Sequence, residues 1–393
     1  MKGHVIHVIE FHENVKSSFA PDNATDHGGE NINAMEIEAK SDCKDDVEDT
    51  ELHNFCYNKT ILMTFMRPIM FSMRCCGLFY NLKHKRQKDG TIKRMFSKWQ
   101  LYSLMITIVV TLNCIRSVCF YFGKNEMDHH LFFKLTMTVW WAECSAKSLN
   151  HFVACAFPTK MQTLFKGFDT ILKGDTTDVY KAKIVKLAKV TTFKLWAFCF
   201  INVLGAAVCL YGPHELQDLF NLALLPIPIN LPVASDIFKV INLIIHFINS
   251  MVAIFPMGLY AIVCTILYEE FKILYNDFTK EIKDDGDFDG NLEQIRMRHQ
   301  LLCKIVENAD NVFSFYIAAV YATNLPLACV VLYNLIYHQL HIYQVLLNCF
   351  WVSVVVTQTS VVSLLGGLVN KMVSFNLSIA TGRECYEHCV FAR

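Results

Sequence analysis

Charge is scarce in this chain. Only 18% of its 393 residues are Asp, Glu, Lys or Arg, and 53% are hydrophobic; a soluble domain usually carries about 25% charged residues. That shortage excludes a soluble fold for most of the length. Catalytic signatures are also missing. No HExxH, GxSxG, P-loop or dinucleotide fingerprint occurs, so an enzyme is not expected and no catalytic residue is assigned. The chain does not open with a short apolar leader behind a basic start: Met1–Glu51 is polar and acidic, which leaves the first apolar run as the insertion signal. The sixteen Cys follow no framework and scatter through apolar runs and their flanks, which argues against structural disulfides.

Metal sites fail for the same want of pattern. Cys385, His388 and Cys389 lack a second ligand pair for zinc, and His4, His7 and His12 are loosely spaced. The acidic turn Asp284–Gly290 misplaces the glycine of a calcium loop and lacks its closing Glu. No metal or cofactor is expected, and no nucleic acid partner.

What the chain does hold is six long apolar runs: Gln100–Phe122, Leu131–Phe157, Val190–Tyr211, Phe238–Leu267, Asn311–Tyr337 and His341–Val369. A bilayer core of about 30 Å needs roughly 20 helical residues, and each run is long enough. The expected fold is all-α, a polytopic membrane helix bundle of six spans. The apolar stretch Leu216–Val233 is set aside as a loop, because Pro226, Pro228 and Pro232 would leave backbone groups unpaired in lipid.

The loops set the orientation. Residues 61–99 carry nine Lys and Arg, the loop after the second run seven, and the loop after the fourth six. The loops after the first, third and fifth carry one, none and none. This puts the N-terminus and all three basic segments in the cytosol, the N-linked sequons at Asn23, Asn58 and Asn376 with them. It also argues against a rhodopsin-like receptor, whose N-terminus is outside; glycosylation at Asn23 or Asn58 would favour one with a missing span at an end.

In order along the chain, residues 1–60 read as a disordered acidic tail, with thirteen Asp and Glu against four Lys in the first 51 residues. Residues 61–99 are apolar at first but broken by Arg67, Pro68 and Arg74, which predicts an interfacial segment before the first span. Residues 100–370 form the bundle. Segments 158–189 and 268–310 read as helices that protrude into the cytosol, with an apolar stripe (Ile295, Leu302, Ile305, Val306) for packing within or between chains. Glu269 and Glu270 read as a cytosolic helix flank. Residues 371–393 are a cytosolic tail.

Polar groups inside a span cost free energy in lipid and usually face protein or water. Arg116 stands in the first run. Glu143, Lys147 and His151 in the second fall at i, i+4 and i+8, so they share one helical face and the first two can pair. These four form a candidate polar seam. Pro256 predicts a kink. Trp141, His246, Asn249, Tyr321, Asn324, Asn348 and Trp351 lie in the outer half or middle of the bundle, and aromatics with a few amides suit a small, mostly apolar ligand.

Two segments carry a resemblance. Met66-Arg67-Pro68-Ile69-Met70 followed by Cys76-Gly77-Leu78-Phe79-Tyr80 is the first, and Ile295-Arg296-Met297-Arg298-His299-Gln300-Leu301-Leu302-Cys303 with Asn311-Val312-Phe313-Ser314 the second. Over residues 61–370 the chain resembles the insect-type chemoreceptor superfamily, in its gustatory receptor-like branch. The resemblance implies a ligand-gated, non-selective cation channel of the plasma membrane, a homo- or hetero-tetramer with related subunits. Cytosolic helices, here holding Arg298, His299 and Leu302, would anchor the assembly, and a small molecule would enter an outward-facing pocket. The family has a seventh, pore-lining span with a Thr-Tyr and a Gln-Phe ending. After Lys371 this sequence shows neither motif nor apolar run, so the expectation is a longer native product or a pore-less regulatory subunit. A secondary transporter is the remaining alternative. A voltage-gated or TRP-type channel is disfavoured: only His338-Gln339-Leu340 separates the fifth and sixth runs, too little for a re-entrant pore loop, and the fourth has no Arg ladder.

Overall fold

The computed structural model describes residues 60–80, 83–86, 92–95, 97–118, 121, 131–156, 160–172, 178–212, 217, 232–283, 288, 290–337 and 342–380. All belong to one unit of the chain, Asn54–Arg393. The acidic tail with Asn23, the sequon at Asn58, nearly all of the proline-bearing loop, most of the Asp284–Gly290 turn, and Cys385, His388 and Cys389 lie outside the described residues.

Two short helices, α1 (Ile61–Phe65) and α2 (Arg67–Cys75), occupy the predicted interfacial segment. Thr60 caps α1 by accepting from the Met63 amide at 3.3 Å, and Asp169 accepts from the Leu62 amide at 3.1 Å. Pro68 starts α2 where its missing donor costs nothing. Gly77 ends it: at φ 71° the Gly77 amide reaches the Arg74 carbonyl (3.1 Å) and the Leu78 amide that of Met73 (2.8 Å). A Cβ there would also strike Ile106 at 2.8 Å, so the glycine serves both turn and packing. One feature departs from the all-helical expectation: Lys83–Arg86 (β1) and Ile92–Met95 (β2) pair antiparallel, Lys83 opposite Met95.

Seven further helices follow: α3 (Lys98–Val118), α4 (Leu131–Ala156), α5 (Lys160–Leu172), α6 (Asp178–Tyr211), α7 (Pro232–Lys280), α8 (Leu292–Tyr337) and α9 (Ile342–Ala380). Ser97 opens α3 by accepting from the Trp99 amide at 3.3 Å, and Asn291 opens α8 by accepting from that of Gln294 at 3.1 Å. Five of the seven, α3, α6, α7, α8 and α9, are long and apolar enough to cross a membrane. α4 has the length, 26 residues, but Lys134, Glu143 and Lys147 dilute its apolarity. All three are buried in protein, at 9%, 2% and 0% exposure, so they do not meet lipid.

α7 is the central helix. In its most apolar stretch 78% of residues are buried, against 22–33% in the other four, and α2, α3, α4, α6, α8 and α9 all pack on it. It begins at Pro232, ahead of the expected Phe238, and runs through Pro256 to Lys280 without a break. α9 continues past Val369 to Ala380. α7 and α8 extend beyond their apolar stretches as expected, and there Leu302 and Ile305, both 0% exposed, pack inside the chain. A Cβ on Gly167 of α5 would meet Ile305 at 2.8 Å, which makes the apolar stripe an intrachain contact between α5 and α8. Hydroxyl pairs join α3 to α4, Thr107 to Ser148 at 2.9 Å and Thr111 to Ser145 at 3.0 Å. Each contributes about 0.6 kcal/mol in such bundles. The outer ridge of α3 (Leu101, Met105, Ile108, Leu112, Ile115) is exposed and apolar, as a lipid-facing surface must be.

Candidate functional site: a cavity between four helices

A cavity of about 280 Å³ opens between α4, α6, α7 and α9, in the half of the bundle away from the basic loops. Its walls are Phe133 and Met137 of α4; Ile201, Asn202, Gly205, Ala206, Val208 and Cys209 of α6; His246 of α7; and Tyr343, Leu346, Leu347, Phe350 and Trp351 of α9. That volume falls just below the usual range for small-molecule sites, which starts at roughly 300 Å³. Aromatic packing stiffens one wall: Trp140 lies 5.0 Å from the His246 ring and 5.2 Å, edge to face, from Trp351. Phe350 stacks on Phe198 at 6.0 Å. Asn202 spends its amide on Ser250 at 2.7 Å; His246, Tyr343, Trp351 and Cys209 are the other lining residues whose side chains carry a polar group. Gly205 holds space open, since a Cβ there would have nothing within 4 Å.

Of the seven residues expected in a pocket, His246 and Trp351 line this cavity and five do not. Trp141 is turned toward α3, where the Arg116 guanidinium sits 5.4 Å above its ring. Asn249 is fully buried, its side-chain amide without a partner among the described residues, while its backbone carbonyl accepts from the Cys144 thiol at 3.5 Å. Tyr321 bonds Ser363 at 2.6 Å and Asn324 approaches Thr359 at 3.5 Å, both on the α8–α9 contact. Asn348 folds back on the Gln344 carbonyl at 2.9 Å. The missed lining had a sequence signal only in α6: Gly205-Ala206-Ala207 is a run of small residues in a span, and Asn202 is an amide one turn earlier.

The polar seam resolves into two clusters. In one, Arg116 donates to Asn113 at 2.9 Å and to Asn242 at 3.4 Å, linking α3 to α7. In the other, Lys147 and Glu143 pair at 2.5 Å, Gln358 of α9 donates to Glu143 at 2.9 Å, and Lys147 donates to the Ala253 carbonyl of α7 at 3.3 Å. The Lys147 ammonium also stands 5.2 Å over the Tyr316 ring of α8. One helical turn of α4 therefore touches α7, α8 and α9 through two charges. His151, a turn further on, is fully buried, and among the described residues neither ring nitrogen finds a partner.

Beyond the spans, Arg298 donates to Asp277 at 3.0 Å and to Glu270 at 3.4 Å, holding α8 against α7. Glu270 is 0% exposed, which corrects its reading as a mere helix flank; its neighbour Glu269 pairs with Lys183 of α6 at 2.9 Å. Burial raises the Glu270 carboxyl above its ordinary range, and Tyr180 and Arg298 pull it partly back. His299 packs edge-on to Phe271 at 6.1 Å, and burial lowers its imidazole from the usual value.

No family model matches the chain and no curated protein is similar to it in sequence. Solved structures do match. The insect olfactory receptor OR5 from Machilis hrabei superposes with a TM-score of 0.59 at 15% identity, over 80% of this chain and 82% of that one. The same receptor in complex with eugenol gives 0.58 at 14% identity, over 82% and 91%. With the helix order and central α7 in hand, this chain is a polytopic membrane helix bundle with the fold of an insect olfactory receptor.

Proposed function

We propose that the chain is a gustatory receptor-like chemoreceptor subunit, part of a ligand-gated, non-selective cation channel that responds to small molecules. The observation that carries this reading is the cavity between α4, α6, α7 and α9, mostly apolar but with Asn202, His246, Tyr343 and Trp351 on its lining and backed by the Trp140–Trp351 pair. Support comes from a protein of the same fold, which is a receptor solved with a small aromatic molecule, eugenol. On this reading the ligand is compact and mostly apolar, with one group able to hydrogen-bond His246 or Tyr343. The subunit sits in the plasma membrane with its N-terminus in the cytosol, in a tetramer with copies of itself or related subunits. Trp141, Asn249, Tyr321, Asn324 and Asn348 act in packing behind the site rather than on the ligand.

The test records cation current from cells that express the chain, alone and with related subunits, during exposure to a panel of small aromatic and aliphatic compounds that includes eugenol. Trp351→Ala and His246→Ala are expected to shift agonist potency about tenfold, equivalent to 1.4 kcal/mol, at unchanged surface level. A change in surface level alone would mean packing and no ligand contact. Substrate uptake without current would favour a transporter.

A further inference from the structure

Arg74 lies in the last turn of α2, and among the described residues its guanidinium takes part in no hydrogen bond or ion pair; its Nε is buried without an acceptor. Two rings hold it instead. The guanidinium carbon is 5.6 Å from the Trp99 ring and 5.9 Å from the Phe79 ring. The rings flank the fork but leave its donors unused, and a planar fork with unused donors matches a phosphate oxygen pair. Among the described residues no carboxylate pairs with it, and between Ile61 and Trp99 the sequence has nine Lys and Arg and a single carboxylate, Asp89. That excess favours an anion over a zwitterion.

The surroundings say what kind of anion. Phe71, one turn before Arg74 on α2, is 64% exposed, and Leu101 and Met105 of α3 are 57% and 53% exposed. Trp99 and Tyr102 stand at the same junction with their rings 6.1 Å apart, and the Tyr102 hydroxyl donates to the Cys75 carbonyl at 2.6 Å, tying α3 to the end of α2. Trp and Tyr are enriched at the headgroup level of membranes. A cation with open donors therefore adjoins an apolar ridge at an aromatic-marked interface. We propose that Arg74, clamped by Trp99 and Phe79, binds the phosphate of an anionic phospholipid whose acyl chains run along Phe71, Leu101 and Met105. A free phosphate would satisfy the fork but has nothing to lay on the ridge.

The full chain, purified in detergent, is titrated with phosphatidylserine, with phosphatidylcholine and with inorganic phosphate while its thermal unfolding is followed. Phosphatidylserine is expected to raise the midpoint by roughly 2–4 °C, with phosphatidylcholine and phosphate giving little. Arg74→Gln should abolish the shift, Arg74→Lys should keep part of it, and Arg67→Gln, an exposed cation of the same helix, should keep it whole. If Arg74→Gln does not fold, Trp99→Leu decides: it keeps the charge, removes one clamping ring and should weaken the shift. No shift in the native chain, a full shift in folded Arg74→Gln (or in Trp99→Leu, where Arg74→Gln does not fold), or an equal shift with phosphate alone would overturn the proposal.

Discussion

Glu143 and Lys147 lose their water in the folded chain, at 2% and 0% exposure. Two such charges are tolerated because each has more than the other. Glu143 accepts from Gln358 as well as Lys147, and Lys147 donates to the Ala253 carbonyl and faces Tyr316. Breaking a buried pair by removing one partner strands the other, at a cost of about 3–5 kcal/mol, whereas replacing both is often close to neutral. Lys147→Met should therefore lower the unfolding midpoint sharply in detergent, and Glu143→Gln nearly as much. The double variant should recover most of the loss; two losses that simply add would show that the pair does not interact. At the cavity a different residue is decisive. Gly205 has open space where a Cβ would sit, so Gly205→Leu fills the site from the wall without straining the fold. Ligand response should fall at least as far as with Trp351→Ala, with the unfolding midpoint unchanged or raised; a large drop in midpoint would mean that the space is not there.

Among elements, the contact between the extensions of α7 and α8 depends on pH through His299. Its imidazole is held below the usual 6.5 by burial. The unfolded chain therefore binds a proton first as the solution is acidified. The stabilising contribution is complete above about pH 6.5 and is lost as pH falls towards the folded value. Glu270 has the opposite sign, since burial raises it: its contribution is present at low pH and lost as pH rises through the folded value. His299→Phe should thus reduce the loss of stability between neutral and mildly acidic pH, measured as the difference in midpoint between the two conditions in variant and native chain. An unchanged difference would place the acid sensitivity elsewhere. The elements themselves were legible to different degrees. Runs of more than twenty apolar residues with charges at their ends have few other readings, and the i, i+4 spacing of Glu143 and Lys147 held because it is local to one helix. The hairpin of β1 and β2 was not legible: Lys83–Met95 alternates nothing that needs burial, and its one signal was the Asp89-Gly90 turn pair. The cavity was legible only at His246 and Trp351. Four helices build its walls, mostly from Leu, Ile, Val, Met, Phe, Gly and Ala that look like any lipid-facing or packing residue until the helices are side by side.

For the molecule as a whole, orientation is the property on which the proposed function leans most. Helix packing is blind to it, because a bundle has the same internal contacts whichever way it is inserted. The charges are not blind to it. The three basic segments hold nine, seven and six Lys and Arg against one, none and none in the alternate loops. The fold gathers those segments at one end: α1 packs on α5, α5 on α8, and α3 starts against the end of α2. Cations near span ends resist translocation, which is why the proposed function puts that end in the cytosol. Native sequons at Asn23, Asn58 and Asn376 should consequently remain unmodified when the chain is made with microsomes, while a sequon inserted between residues 213 and 231 should gain a glycan. Changing the Lys and Arg of 83–94 to Gln should lower the glycosylated fraction of the inserted sequon, because those residues precede the first span, which usually dominates the choice. Glycosylation at Asn23 or Asn58 in the native chain would invert the bundle, and would turn the end that carries the cavity toward the cytosol.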